Sequence, residues 1–421
     1  MFRSYFIPRS YDLTRLPFED AAGNQLFYGG EDNPYWTIKN NRFKDEINRM
    51  IGNVSLNYKF TNWLQADYKI GTDVYSTFRH GYDQIGARGG ANTSAVGVGG
   101  VFETRNQYRA LNSNFYLSFN KKFRNFTTAA IVGNEIQQEY NATAGVTGQG
   151  VIVRDFEQLK NTTTYFPSNG SAQSRLIGIY GDFTAGYKGI ATLNATLRND
   201  WSSTFLVGHQ SYLYPAASFV FNITEALPSL KGKVVDNIKL RVNTAKVGKA
   251  GNILYGTDSY FVGASSSDGF GPNIAFPFNG LQGYTLSNSA GDANLGPEFT
   301  TSKEVGAELS FWGGRINIET NIYKTSSKTL IFQVPVSNTS GITSKITNIG
   351  KSHTNGVELA LNLIPVKYKN GNWSINFNYT QFKTTIDELA PGVANIFLGG
   401  FTTPNIRLVV GAPGTNRWMT L

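Results

Sequence analysis

Residues Arg49–Tyr75 read RMIGNVSLNYKFTNWLQADYKIGTDVY. Met50, Gly52, Val54, Leu56, Tyr58 and Phe60 share one parity, and Asn53, Ser55, Asn57 and Lys59 share the other. After a Thr61-Asn62 turn the pattern returns, with Leu64, Ala66, Tyr68, Ile70 and Val74 set against Gln65, Asp67, Lys69 and Asp73. A period of two belongs to a β-strand with one apolar and one polar face. Each run is about a dozen residues long, against about 5–6 for the mean strand of a soluble protein. A strand that crosses a membrane needs about 9–11.

The same grammar recurs along the 421 residues. Strand pairs are predicted at about 104–119 with 125–136 (turn Lys121-Lys122), at 177–187 with 191–200 (turn Lys188-Gly189), and at 213–223 with 238–242. Two more follow at 305–311 with 316–322 (turn Gly313-Gly314) and at 357–363 with 373–379, and Asn405 to Gly411 starts a further segment. Between the tight turns lie long polar stretches, at about 1–48, 76–103, 137–173, 248–300 and 385–404. Short and long connections therefore alternate, so one end of the sheet carries turns and the other carries loops. Outer-membrane barrels have this asymmetry, with an apolar lipid-facing parity, a polar lumen-facing parity and aromatic girdles at both interfaces. The fold class read from this is all-β: an antiparallel transmembrane β-barrel.

Composition narrows the function classes. The chain lacks cysteine, which removes disulfides, thiol catalysis and cysteine-bound metals. Its net charge of +9 is scattered along the chain with no long basic run, so nucleic acid is not an expected partner. The three histidines, His80, His209 and His353, lie far apart without metal-ligand spacing, and no metal or other cofactor is expected. The Gly-rich GARGGANTSAVGVGG from Gly86 lacks the Lys-Ser/Thr end of a phosphate loop. No carboxylate pair is placed as in a glycosidase, and no enzyme is expected. The N-terminal MFRSYFIPRSYDL lacks the apolar core of a signal peptide and reads as an internal start.

Two groups of residues are candidates for binding. Trp36, Tyr82, Trp201 and Tyr260 stand in or beside the long loops, where aromatic faces suit sugars and peptides. Asp67, Lys69, Arg198, Asp200, Lys239 and Arg241 lie on the polar parity, where they would line the lumen, meet a plug or pair with neighbours.

Several stretches resemble the SusC/RagA-type TonB-linked outer-membrane transporters. They are NPYWTIKNNRFKDEINRMIGNVSLNY from Asn33, GIYGDFTAGYKGIATLNATLRNDWSSTF from Gly178, YLYPAASFVFNITE from Tyr212, IKLRVNTAKVG from Ile238 and NLGPEFTTSKEVGAELSFWGGRINIETNIY from Asn294. NIGKSHTNGVELALNL from Asn348 resembles a segment shared more widely among TonB-dependent receptors. The resemblance implies a plugged barrel of about 22 strands, of which about 13 are counted here with no plug-like segment. It further implies import of oligosaccharide or peptide nutrients across the bacterial outer membrane. The implied partners are a SusD-like lipoprotein lid, outer-membrane lipid and TonB, which acts through the plug. On this reading 1–421 is part of the receptor barrel, and plug contact is implied for several of the polar-parity charges. Two other readings stay open: a smaller passive porin or adhesin-like barrel, and a soluble β-rich carbohydrate-binding protein.

Overall fold

The structure is a computed structural model that describes residues 7–8, 10–27, 32–88, 96–251, 261–263, 265–266, 274–275, 280–281, 283–390, 393, 395–400, 405–412 and 416–418. Among them twelve strands form one sheet whose spatial order is the order of the chain. They are β1 (Arg42–Lys59), β2 (Leu64–Asp83), β3 (Gly100–Phe123), β4 (Phe126–Val151), β5 (Thr162–Tyr187) and β6 (Ala191–Ser202). Then come β7 (Ser211–Asn222), β8 (Val235–Lys249), β9 (Glu298–Phe311), β10 (Ile316–Lys328), β11 (Lys351–Tyr368) and β12 (Gly371–Glu388). Every pair from β5 to β12 is antiparallel.

The turns show why the strands fold back where they do. At the β1–β2 turn the Thr61 hydroxyl accepts the N–H groups of Trp63 and Leu64, at 3.2 and 3.0 Å. Between β5 and β6, Lys188 and Gly189 both take positive φ, 49° and 73°, and Ile190 N–H donates to the Tyr187 carbonyl at 2.8 Å. Two successive positive φ angles make the hairpin turn whose twist matches its strands, which is why glycine stands second. The turn predicted at Lys121-Lys122 falls later: β3 continues to Phe123, and Arg124 takes φ 50°.

The strands are longer than the alternation predicts. Residues 42–48, 76–83, 100–103, 137–151 and 162–173, expected as loop, are strand, and β4 and β5 each reach 26 residues. In the longest of them, 137–151 and 162–173, polar and small residues stand on both parities, so no apolar parity marks them in the sequence. The thirteenth expected strand exists as Asn405–Val409, but it joins Asn395–Gly400 and Asn416–Trp418 in a separate three-stranded sheet. Another small sheet joins Ser289–Ala290, Ser344–Asn348 and Ile331–Pro335.

The chain divides into two compact units. The first (1–54, 69–113 and 137–174) holds the helix α1 (Pro34–Asn40) and a small core of Tyr82, Val101 and Val151. The second (55–68, 114–136 and 175–421) holds two further clusters, Phe205 with Tyr212 and Leu295, and Ile386 with Leu389, Ile396 and Leu408. These clusters are small, and the main sheet keeps its apolar parity outside: on β6 Leu193 is 49% exposed and Leu197 52%, while Asn194, Thr196 and Arg198 beside them are half-buried. A soluble sandwich would bury that parity between two sheets; a membrane wall gives it to lipid. No described helix is long and apolar enough to cross a membrane, which leaves crossing by strands untouched.

Candidate functional site: the polar face of the sheet

On β4 to β10 the residues opposite in parity to the apolar ones form two charge networks, each built by strand register. In the first, Tyr180 of β5 pairs with Arg198 of β6, and Gly178 pairs with Asp200. Arg198 Nε donates to Asp200 Oδ1 at 2.7 Å, and Nη1 reaches past β5 to Glu135 Oε2 on β4 at 2.9 Å. Its guanidinium also stands 5.7 Å from the Tyr180 ring centroid. Asp200 is 6% exposed and takes a second hydrogen bond from the Tyr214 hydroxyl at 2.6 Å. Gly178 makes the crossing possible. A Cβ there would fall 2.5 Å from Asp200 Oδ1 and nearer still to Arg198 Nη2.

The second network repeats the device on β8, β9 and β10. Gly306 is flanked in register by Arg241 on one side and Asn321 on the other, and Glu308 by Lys239 and Glu319. Arg241 donates to Glu308 at 2.8 Å, to Glu319 at 2.7 Å and to Asn321 Oδ1 at 2.6 Å, while Lys239 pairs with Glu308 at 2.5 Å. Two cations and two carboxylates thus share one patch, in which the planar guanidinium serves three acceptors on two strands.

The other candidates take varied places. Asp67 is 4% exposed and accepts from Asn57 and from Gln65, the latter at 2.8 Å. Lys69 is exposed. Trp36 is fully buried, with its indole N–H donating to the Gly23 carbonyl at 3.0 Å. Tyr82 is fully buried too, its hydroxyl donating to Gln84 Oε1 at 2.8 Å. Neither ring offers a face to a ligand in this structure; both pack the first unit. Trp201 is 39% exposed and sits opposite Ile177, on the apolar parity with Leu193 and Leu197, where a lipid-interface ring belongs. Tyr260 lies outside the described residues. Trp36 and Tyr82 belong to the first unit and Trp201 to the second.

Glu135, Glu308, Glu319, Asn321 and the glycines Gly178 and Gly306 were not singled out from the sequence. Parity alone puts Glu308 on the side of Glu304 and Ser310, but only register shows which cation it meets. Of the three histidines, His209 lies in an exposed turn. His80 lies in β2 near Glu103 and His353 in β11, with Nδ1 2.7 Å from Asp387 Oδ1. Among the described residues no three His, Cys, Asp or Glu gather as a metal site.

A long-stranded sheet with an apolar exposed face, a networked polar face and tight turns at one end is the wall of an outer-membrane β-barrel. The profile of the family described as "TonB dependent receptor-like, beta-barrel" matches residues 2–419. The chain belongs to that family, whose SusC- and RagA-type members are outer-membrane proteins. TonB-dependent receptor P3 of Formosa agariphila is 23% identical over 367 residues, covering 86% of this chain and 35% of the relative. TonB-dependent receptor SusC of Bacteroides thetaiotaomicron is 22% identical over 377 residues, with the same coverage of 86% and 35%. The chain therefore spans about a third of the length of these curated relatives. Among solved structures, the RagAB peptide transporter superposes with a TM-score of 0.79 at 17% identity, covering 94% of this chain and 42% of that one. At that identity the likeness speaks for the fold.

Proposed function

We propose that this chain builds part of the barrel wall of a TonB-dependent importer that takes up oligosaccharides or peptides with a SusD-like lipoprotein lid. The observation that carries the reading is the two-faced sheet. Its apolar face suits lipid, and its polar face is held rigid by the Arg198 and Arg241 networks, as a lumen wall around a plug requires. The family match to TonB-dependent receptors supports an importer.

Energetics supports a wall that other strands complete. Among the described residues nothing pairs β1 with β12. An unpaired strand edge in hydrocarbon leaves backbone groups unsatisfied at several kcal/mol each, tens of kcal/mol for two edges. No domain has that much stability in reserve.

In this reading Lys239 and Arg241 stand on the lumen side, where their network would meet the plug or ligand. The test is growth. A strain lacking the full-length gene should lose uptake of one glycan or peptide class, and regain it from a plasmid only while the proton gradient and TonB are intact. Uptake that persists after an uncoupler would replace the importer with a passive pore.

A further inference from the structure

We propose that the outward face of β8, β9, β10 and β12 holds a phosphate-bearing lipid of the outer leaflet, with its headgroup on lysines and one acyl chain in an adjoining apolar hollow. The inference rests on the outer-membrane placement of the sheet and is independent of which nutrient is carried.

The register locates the site. One outward row runs Phe219, Val242, Val305, Ile322 and Val357 across five strands. The next outward row, toward the long-loop ends of the strands, runs Thr244, Lys303, Lys324, Asn355 and Lys383. Long loops mark the external side of such barrels, so these lysines sit where the apolar band meets the outer headgroups. Two more outward lysines lie beyond them: Lys246, opposite Thr301, and Lys328, opposite Phe299.

Two features distinguish this patch from ordinary snorkelling lysines. The first is charge. Lys303 and Lys324 stand directly opposite each other in the β9–β10 ladder, an arrangement that repels. Among the described residues none of Lys246, Lys303, Lys324, Lys328 or Lys383 makes an ion pair, whereas Lys239, Lys345 and Lys351 all do. An anion between the strands would turn that repulsion into binding.

The second is shape. A hollow of about 960 Å³ lies over the apolar row, and Lys303, Lys324 and Lys383 close one end of it. A second hollow of about 620 Å³ shares Lys303 and Lys324 and adds Lys246 and Lys328. An apolar trough that ends in cations matches an acyl chain followed by a phosphate. A soluble anion would leave the trough unused.

The experiment uses the full-length transporter, purified in detergent and titrated in native mass spectrometry with dioleoyl phosphatidic acid, dioleoyl phosphatidylcholine or inorganic phosphate. A lysine at a membrane surface gains about fivefold, so three lysines should favour phosphatidic acid over phosphatidylcholine by roughly a hundredfold. The triple variant K303Q/K324Q/K383Q should lose that preference. Ala217→Trp, which fills the hollow, should weaken both lipids. In detergent free of phosphate, Lys303→Gln alone should raise the thermal midpoint by relieving the facing charges. Equal phosphatidic acid binding by the triple variant overturns the proposal. So does inorganic phosphate binding as tightly as phosphatidic acid with Ala217→Trp silent, which would mark an ion site. Heat-modifiable migration in gels confirms that each variant is folded. Loss of nutrient uptake has no bearing on this readout.

Discussion

Arg241 lies across the bare Cα of Gly306: a Cβ there would fall 2.6 Å from Arg241 Nε and closer still to Asn321 Oδ1. Gly306 is thus the gap through which one guanidinium ties β8 to Glu319 and Asn321 on β10. Gly306→Ala should cost about 1–3 kcal/mol, as overpacking does, read as a lower midpoint for heat-modifiable unfolding of the full-length protein. Combined with Arg241→Ala, the same change should cost less than the sum of the two, because the arginine that clashes is gone. Full additivity would show that the space at Gly306 is not what holds Arg241.

Arg198 and Arg49 separate a sheltered network from an exposed pair. Arg198→Ala leaves Asp200, 6% exposed, beside Glu135 without its cation. The expected loss is about 3–5 kcal/mol, as for a broken buried pair. Arg49 pairs with Asp73 through two bonds of 2.9 and 2.6 Å, but its side chain is 52% exposed. Arg49→Ala should therefore cost only about 0–1 kcal/mol. Urea titrations of the two variants side by side test the contrast, and equal losses would contradict it.

Neighbouring residues of β9 report which face meets lipid. Leu309 stands on the apolar parity with Ile238 and Ile318, and Ser310 on the polar parity, where it donates to Asn317 Oδ1 at 2.8 Å. Leu309→Lys should destabilise the barrel in bilayers by about 2–4 kcal/mol. Ser310→Lys should stay within about 1 kcal/mol of wild type, the net worth of the hydrogen bond it gives up. Reversed penalties would turn the sheet inside out.

Asp292 supplies a pH dependence outside the membrane. Burial pushes its pKa up, but hydrogen bonds from the Thr347 hydroxyl and the Asn294 N–H, and the Lys345 ammonium, outweigh that and hold it below the ordinary 3.8. A depressed carboxyl stabilises fully above its unfolded value and loses that contribution as pH falls through the folded one. Protection of 288–297 and 343–348 from hydrogen exchange should therefore fall below about pH 3.8. Asp292→Asn should flatten the response; an unchanged pH profile in that variant would assign it to another group.

Much of the wall was legible in the sequence wherever its two faces meet different solvents. Ile238, Leu240 and Val242 against Lys239 and Arg241 is such a place, and parity put the two cations on the polar side. The signal fails at 137–151 and 162–173, where polar and small residues stand on both parities and Thr162-Thr163-Thr164 looks like any polar loop. The networks were half legible. Parity names the face of Arg241, but Gly306 as its crossing point follows from a pairing register that spans thirteen residues of β9 and β10. The burial of Trp36 and Tyr82 was hidden, because an aromatic ring in a polar stretch packs against whatever distant segment returns to it.

The strand order carries a consequence for how the wall is made. Each of the twelve strands pairs with its neighbour in the chain. Where the connection is a tight turn, the loop-closure entropy of adding the next strand is small. Assembly can then proceed by accretion, with every finished hairpin becoming the template edge for the next, and no distant segment need be found by search. Such a wall tolerates a break in a long connection better than one in a tight turn. Two halves cut between β8 and β9 would each keep their own nucleation sites and need only one new seam to rejoin.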